Sequence, residues 1–201
     1  MLVRDAVRRH GLLVGLHGYM EDAETQMARL ESIPASDKWT LVSIQGLHRV
    51  YRGRSEQIAS GWMVRQDRDV MIADNIAYVD AALASLEPRG DEAIVFAGFS
   101  QGVAMAFRAA VRGRHPAAGV IAVGGDVPPE LLVDPRSRFP RVLLMRGSRE
   151  DWYTDEKLRA DEAALTARGV HITTVVYDGG HEWTDAVSAA CAEFIASGRV
   201  G

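Results

Sequence analysis

The sequence predicts a three-layer α/β domain, with a mostly parallel sheet of about six strands and helices on both faces. Three observations predict it. Short β-rich runs alternate with longer helix-like segments along all 201 residues. Most of these runs are continuously apolar, as expected of strands buried on both faces. No internal repeat, low-complexity tract or Pro/Ser-rich linker divides the chain, so residues 1–201 read as one domain, a length that suits one buried core.

The elements follow in order. LLVGLH (12–17) is the first strand, and the segment from Glu21 to Glu31 the first helix. TLVSIQ (40–45) is the second strand. From Asp69 to Glu87, Val70, Ala73, Ile76, Ala77 and Ala81 recur at helical spacing and Pro88 supplies the stop. AIVFAGF (93–99) is the third strand, followed by a helix over Gln101 to Arg112. GVIAVG (119–124) and RVLLMR (141–146) come next, then a helix from Asp155 to Ala167. HITTVVY (171–177) is the last strand, and Thr184 to Ser197 the last helix. Six strands and five helices in alternation imply right-handed crossovers on both faces. Between them, GLHRVYRGRSEQIASGWMVRQDR (46–68) has no clear strand period. A loop of that length is usually functional or hides a short element, here expected to be a helix. It leaves the C-terminal end of the second strand, the edge where open α/β sheets hold their ligands.

Composition excludes several function classes. Hydrophobic residues at 47% and charged residues at 25% are those of an ordinary soluble domain. A net charge of -4 and a pI near 5.9 give no basic footprint for nucleic acid. No apolar stretch approaches the roughly 20 residues of a membrane span. MLVRDAVRRH is not followed by an apolar core with a small-residue cleavage site, so no secretory signal is expected. The one cysteine, Cys191, reads as a buried thiol within DAVSAACAEFIAS. A cytoplasmic protein is the expectation. No Gly-x-Gly-x-x-Gly follows a strand, since GGD (124–126) runs straight into VPPE, which argues against a dinucleotide site.

The chemistry is carried by GFSQG (98–102), a serine between glycines after a strand and before a helical sequence. A serine on so sharp a turn takes a strained backbone conformation, and Gly98 and Gly102 keep larger side chains out of it. The helix start behind Ser100 offers N–H groups and a positive dipole end to a developing oxyanion. A serine hydroxyl needs a base. His181, in DGGHEWTD after the last strand, lies at the same sheet edge. His171 and His115 fall at the opposite edge, His10 and His48 have no motif around them, and at His17 the backbone that follows matters more than the ring. An acid must orient the imidazole. The loop GSREDWYTD (147–155) offers Glu150 and Asp151. Serine, acid, histidine is the order of the α/β-hydrolase fold. The oxyanion would be held by the N–H of Gln101 and one N–H from the loop after the first strand, where Tyr19 is the candidate. The Gln101 side chain is assigned to packing or a loop hydrogen bond instead.

At LHGYM, GFSQGVAMA, the Gly-x-x-acid loop at 147–150 and GGHEW, the chain resembles the small α/β-hydrolases of the phospholipase/carboxylesterase group, which includes acyl-protein thioesterases. The resemblance runs from the first strand to the final helix. It implies hydrolysis of a small-molecule ester or thioester through an acyl-serine, without metal or organic cofactor. The group usually has Asp three residues after the loop glycine, and here that position is Glu150, with Asp151 one later. Register favours Glu150 and side-chain length favours Asp151; Glu150 is placed first. At this length little room is left for a cap domain.

For substrate contacts, Trp62, Met63 and Trp152 lie on loops at the expected edge, with Tyr153 and Trp183 nearby. Each has packing as its plainer role. The cluster of His48, Arg49, Arg52 and Arg54 is most simply a solvated surface. Two alternatives stand beside an esterase: a serine peptidase of the same fold, and a catalytically silent binding protein. Ester against aminoacyl-anilide hydrolysis separates the first, and the state of the triad the second.

Overall fold

The computed structural model describes residues 1–6, 10–88 and 92–198. A seven-stranded sheet forms its centre, built from β1 (Leu2–Arg4), β2 (Gly11–Leu16), β3 (Thr40–Ile44), β6 (Ala93–Phe99), β7 (Gly119–Val123), β8 (Arg141–Gly147) and β9 (Ile172–Tyr177). The strand order is β1-β3-β2-β6-β7-β8-β9. All neighbours are parallel except β1, which runs antiparallel to β3 at one edge. The three-layer α/β architecture expected from the apolar runs is the one observed, with a seventh strand added. Only three residues long, β1 is too short to show a period.

Successive side chains of each strand point to opposite faces of the sheet, and both faces are buried. Leu12, Val14, Leu16, Ile94 and Phe96 point into one apolar layer, against α2 (Arg68–Ala84), α3 (Gln101–Arg112) and α5 (Asp155–Thr166). Leu13, Val95, Ala97 and Phe99 point into the other, against α1 (Ala23–Glu31) and α6 (Asp185–Ser197). Cys191 lies in this second layer, where burial pushes its thiol up, as suits a packed side chain. Helix starts follow local caps: Asp22, Thr154 and Thr184 each accept an N–H from the first turn of α1, α5 and α6. A short α4 (Pro129–Val133) begins on a proline pair and is tied to α3 by Glu130, which pairs with the buried Arg108 at 2.7 Å.

The 46–68 segment hides strands rather than a helix. β4 (His48–Tyr51) and β5 (Ile58–Gly61) form a separate antiparallel ribbon. Most of β4 is solvent-exposed, so it carries no inside–outside alternation for the sequence to display. The ribbon is stitched to the loop after β2, where Ser60 forms a β-bridge with Glu21.

The order in which strands are added to the sheet switches sides between the parallel neighbours β2 and β6, since β3 lies on one side and β7 to β9 on the other. Their C-terminal ends meet at the pair Leu16 and Gly98. Such a switch point opens a crevice between the two following loops. Those loops carry Tyr19 and Ser100.

Candidate active site

Ser100 stands between β6 and α3 with φ 52° and ψ −119°, a conformation that L-residues avoid. Its N–H donates to Val123 O at 2.9 Å and its carbonyl accepts from Val103 at 3.0 Å, so two bonds hold the strained turn. It occupies the N-cap of α3, yet its hydroxyl makes no capping bond. The glycines are needed for close approach: a Cβ on Gly98 would stand 2.5 Å from Gly102 O, and one on Gly102 2.0 Å from Leu16 O.

His181 follows β9. Its Nδ1 lies 2.7 Å from Oε2 of Glu150, on the loop after β8. Glu150 is buried, and its other oxygen, Oε1, accepts the N–H of Trp152 at 2.8 Å and that of Tyr153 at 3.4 Å. Both carboxylate oxygens are thus occupied, one by backbone and one by the imidazole. Arg146 ties down the same loop, donating to the carbonyls of Glu150 and Tyr153. Asp151, the alternative acid, is exposed to solvent. The loop register decides which carboxylate meets the ring, and the extra methylene of Glu is accommodated. With Nδ1–H given to Glu150, Nε2 keeps its lone pair.

The turn after β2 runs from Gly18 to Glu21, with Met20 at φ 60°. Within it the N–H of Gly18 donates to Oε2 of Glu21, that of Met20 to Ser60 O, and that of Glu21 to Gly18 O. Beneath lies His17, fully buried. Gly46 N–H donates to its Nε2 at 2.8 Å, which makes Nε2 an acceptor and puts the ring proton on Nδ1, 2.6 Å from Gly18 O. Burial holds His17 below the ordinary histidine value, and the neutral ring suits both bonds. The His17 ring itself bonds the backbone that follows it, whereas the sequence pointed to that backbone rather than to the ring.

Residues 59–195 match the phospholipase/carboxylesterase family model. The chain belongs to the phospholipase/carboxylesterase family. The match contains the loops of Ser100, Glu150 and His181 and begins after the Gly18–Glu21 turn. Solved structures extend the likeness over the rest. Esterase PE8 superimposes with a TM-score of 0.76 at 23% identity, covering 98% of this chain and 97% of its own. Acyl-protein thioesterase 2 of Zea mays gives 0.76 at 16%, with 98% and 97% covered. A carboxylesterase from Mesorhizobium loti gives 0.74 at 17%, with 94% and 90% covered. At these identities the likeness concerns the fold. No curated protein is similar enough in sequence to match. Family membership makes this chain a hydrolase.

In this family member, a cleft of about 530 Å³ opens beside Ser100 and His181. Its walls include Tyr19, Arg29, Phe99 and Trp183, from both sides of the switch point. Of the three residues expected at substrate, none lines it. Trp62 is a correction: it is fully buried, its Nε1–H donating to His17 O at 2.8 Å and its ring 5.3 Å from that of His17. Met63 packs half-buried on the core, its sulfur accepting from Arg108. Trp152 is 66% exposed. The Gln101 side chain makes the loop bonds expected of it, accepting from Trp62 N–H at 2.8 Å and donating to Met63 O at 2.9 Å. Glu21 and Arg29 were not singled out in the sequence. Glu21 precedes α1 and Arg29 lies in its last turn, an acid before and a base at the end of a helix as in many others, and only their partners distinguish them. Among the described residues, no group of His, Cys, Asp and Glu could hold a metal ion, and no helix is long and apolar enough to cross a membrane.

Proposed function

We propose that the chain is a serine esterase or thioesterase whose catalytic groups are Ser100, His181 and Glu150. The observation that carries this is the 2.7 Å bond between His181 Nδ1 and a buried Glu150, at a cleft shared with the strained Ser100. Nε2 of His181 takes the hydroxyl proton as Ser100 Oγ bonds to the acyl carbon. The carbonyl electrons move onto oxygen, which the N–H groups of Tyr19 and Gln101 receive, each donor being worth about 3–4 kcal/mol. Glu150 stays anionic and stabilises the imidazolium. As the tetrahedral species collapses, His181 gives its proton to the leaving alcohol or thiol. Water, deprotonated by the same Nε2, then releases the acid from Ser100.

The substrate is a small-molecule ester or thioester. Trp152, exposed on the acid's loop, is available to it, whereas Trp62 is not. We take residues 1–201 as one hydrolase domain acting in the cytoplasm, where the buried Cys191 stays a thiol. A fluorophosphonate probe should modify the protein at Ser100, with Ser100→Ala neither labelled nor active on p-nitrophenyl acetate. A folded protein that is not labelled, or a Ser100→Ala variant as active as the parent, would sink the proposal.

A further inference from the structure

We infer that Glu21 is a positioning residue for the oxyanion turn, acting through the N–H of Gly18 and held in place by Arg29. This rests on the esterase proposal, which gives the N–H of Tyr19 the oxyanion. The turn that presents Tyr19 is not a relaxed one. Met20 carries φ 60° with a side chain, a conformation that persists only where neighbours over-determine it.

Glu21 supplies much of that determination. Its Oε2 accepts Gly18 N–H at 2.8 Å and Arg29 Nη1 at 2.6 Å, while Oε1 accepts Arg29 Nη2 at 2.7 Å. The pairing is a two-pronged fork, which fixes orientation as well as distance. The backbone of Glu21 is clamped too, because Ser60 donates to its carbonyl at 2.8 Å. Burial works against a charged Glu21, but the Arg29 bonds and the Gly18 N–H outweigh it and hold the carboxyl below its usual range.

The far end of the fork reaches the other half of the site. The Arg29 guanidinium lies 4.0 Å over the Phe99 ring, and Phe99 in turn packs against His181 at 4.9 Å between centroids. Phe99 is the residue before Ser100. One ion pair therefore links the turn of Tyr19 to the strand end that carries the nucleophile. It also commits the N–H of Gly18 to Glu21, while Met20 and Glu21 spend theirs on Ser60 and Gly18. Tyr19 is left as the donor of this turn that can face substrate oxygen. Without Glu21 the N–H side of the His17–Gly18 peptide loses its partner, its carbonyl still accepting from Trp62 Nε1–H, and the aim of Tyr19 loosens.

The test is kinetic. Glu21→Ala should lower kcat on p-nitrophenyl acetate by about 10- to 100-fold, with KM moving less than about twofold. Glu21→Gln keeps an oxygen for Gly18 N–H but turns an NH2 toward Arg29, and should recover part of that loss. Affinity for a trifluoromethyl ketone, whose hemiketal oxygen occupies the hole, should fall in Glu21→Ala by the same factor as kcat. A folded Glu21→Ala with parental kcat overturns the inference, as does Glu21→Gln losing as much as Glu21→Ala. Should Glu21→Ala not fold, Arg29→Met takes its place: kcat reduced at constant KM supports the role, and an unchanged kcat overturns it. Failure of the esterase proposal would look different, since the folded parent would then escape fluorophosphonate labelling or Ser100→Ala would retain activity, whatever Glu21 does.

Discussion

Gly124 lies against the His181 imidazole so closely that a Cβ there would stand 3.1 Å from Nδ1 and 3.3 Å from Oε2 of Glu150. Gly124 also has φ +65°, which a side chain would strain. It follows β7, the strand between those of Ser100 and Glu150, and donates its N–H to Met145 O at 2.9 Å. The histidine and its acid are seated on bare backbone.

Gly124→Ala should therefore disturb the pair without touching substrate. The expected result is a fall in kcat of roughly 10- to 100-fold at nearly constant KM, from a sub-ångström displacement of the ring. Steady-state kinetics on p-nitrophenyl acetate, with a melting curve to show that the variant is folded, checks this.

The two carboxylates of the acid loop should separate cleanly. Oε1 of Glu150 serves two backbone N–H groups and Oε2 serves His181, so an amide that keeps its oxygen on the backbone donates to Nδ1 and puts the ring proton on Nε2, the wrong tautomer for a base. Glu150→Gln should lower kcat by about 10³- to 10⁴-fold. Asp151→Asn, on an exposed side chain, should stay close to the parent. Equal losses in the two variants would count against Glu150.

Asp161 gives a prediction in pH. Its Oδ2 accepts Tyr153 Oη–H at 2.9 Å and Val127 N–H at 3.0 Å, and burial, with Asp126 nearby, pushes its carboxyl up to about 6 from 3.8. Between those values the folded state keeps a proton that the unfolded chain has released. The group's stabilisation is complete below pH 3.8 and is lost as pH rises through about 6. Asp161→Asn keeps an acceptor for both donors and cannot ionise. It should be more stable than the parent at pH 7.5, by about 1–3 kcal/mol, and the gap should close near pH 4. His17 acts with the opposite sign, its stabilisation being lost as pH falls below 6.5, but it is common to both proteins and cancels in the comparison. Thermal denaturation from pH 4 to 8 reads the difference.

Trp62 and Trp152 should differ in kind. Trp62→Phe removes the donor to a buried carbonyl, that of His17, and should cost about 1–3 kcal/mol of stability. Trp152→Ala should change stability by less than about 0.5 kcal/mol, leaving any effect to appear in KM. Urea unfolding of both variants is the measurement.

Much of this was legible because the apolar runs of a doubly covered sheet are continuous. All six expected strands occur within a residue or two, and the helix from Gln101 to Arg112 occurs as expected. The motif loops fell at one edge because each follows a strand. The missing pieces have physical reasons. β1 and α4 are too short for periodicity, and the β4–β5 ribbon lacks a buried face along most of β4. The choice between Glu150 and Asp151 depends on how the loop turns, which residue types do not encode. Trp62 was misjudged because its partner, the carbonyl of His17, is 45 residues away. Glu21 went unseen because its importance lies in the strain of Met20, invisible until φ is known.

The sheet order bears on how activity appears during biosynthesis. Ser100 and Glu150 are brought together by interior strands, but His181 follows β9, the outermost, which pairs with β8 from Ile172 to Tyr177. A nascent chain that has left the ribosome only through residue 170 carries Ser100 and Glu150 but lacks His181, the base in the proposed mechanism. On the proposed roles hydrolysis should require the docked edge strand, and an ester assay on stalled or truncated translation products, inactive until β9 and His181 are out, checks this.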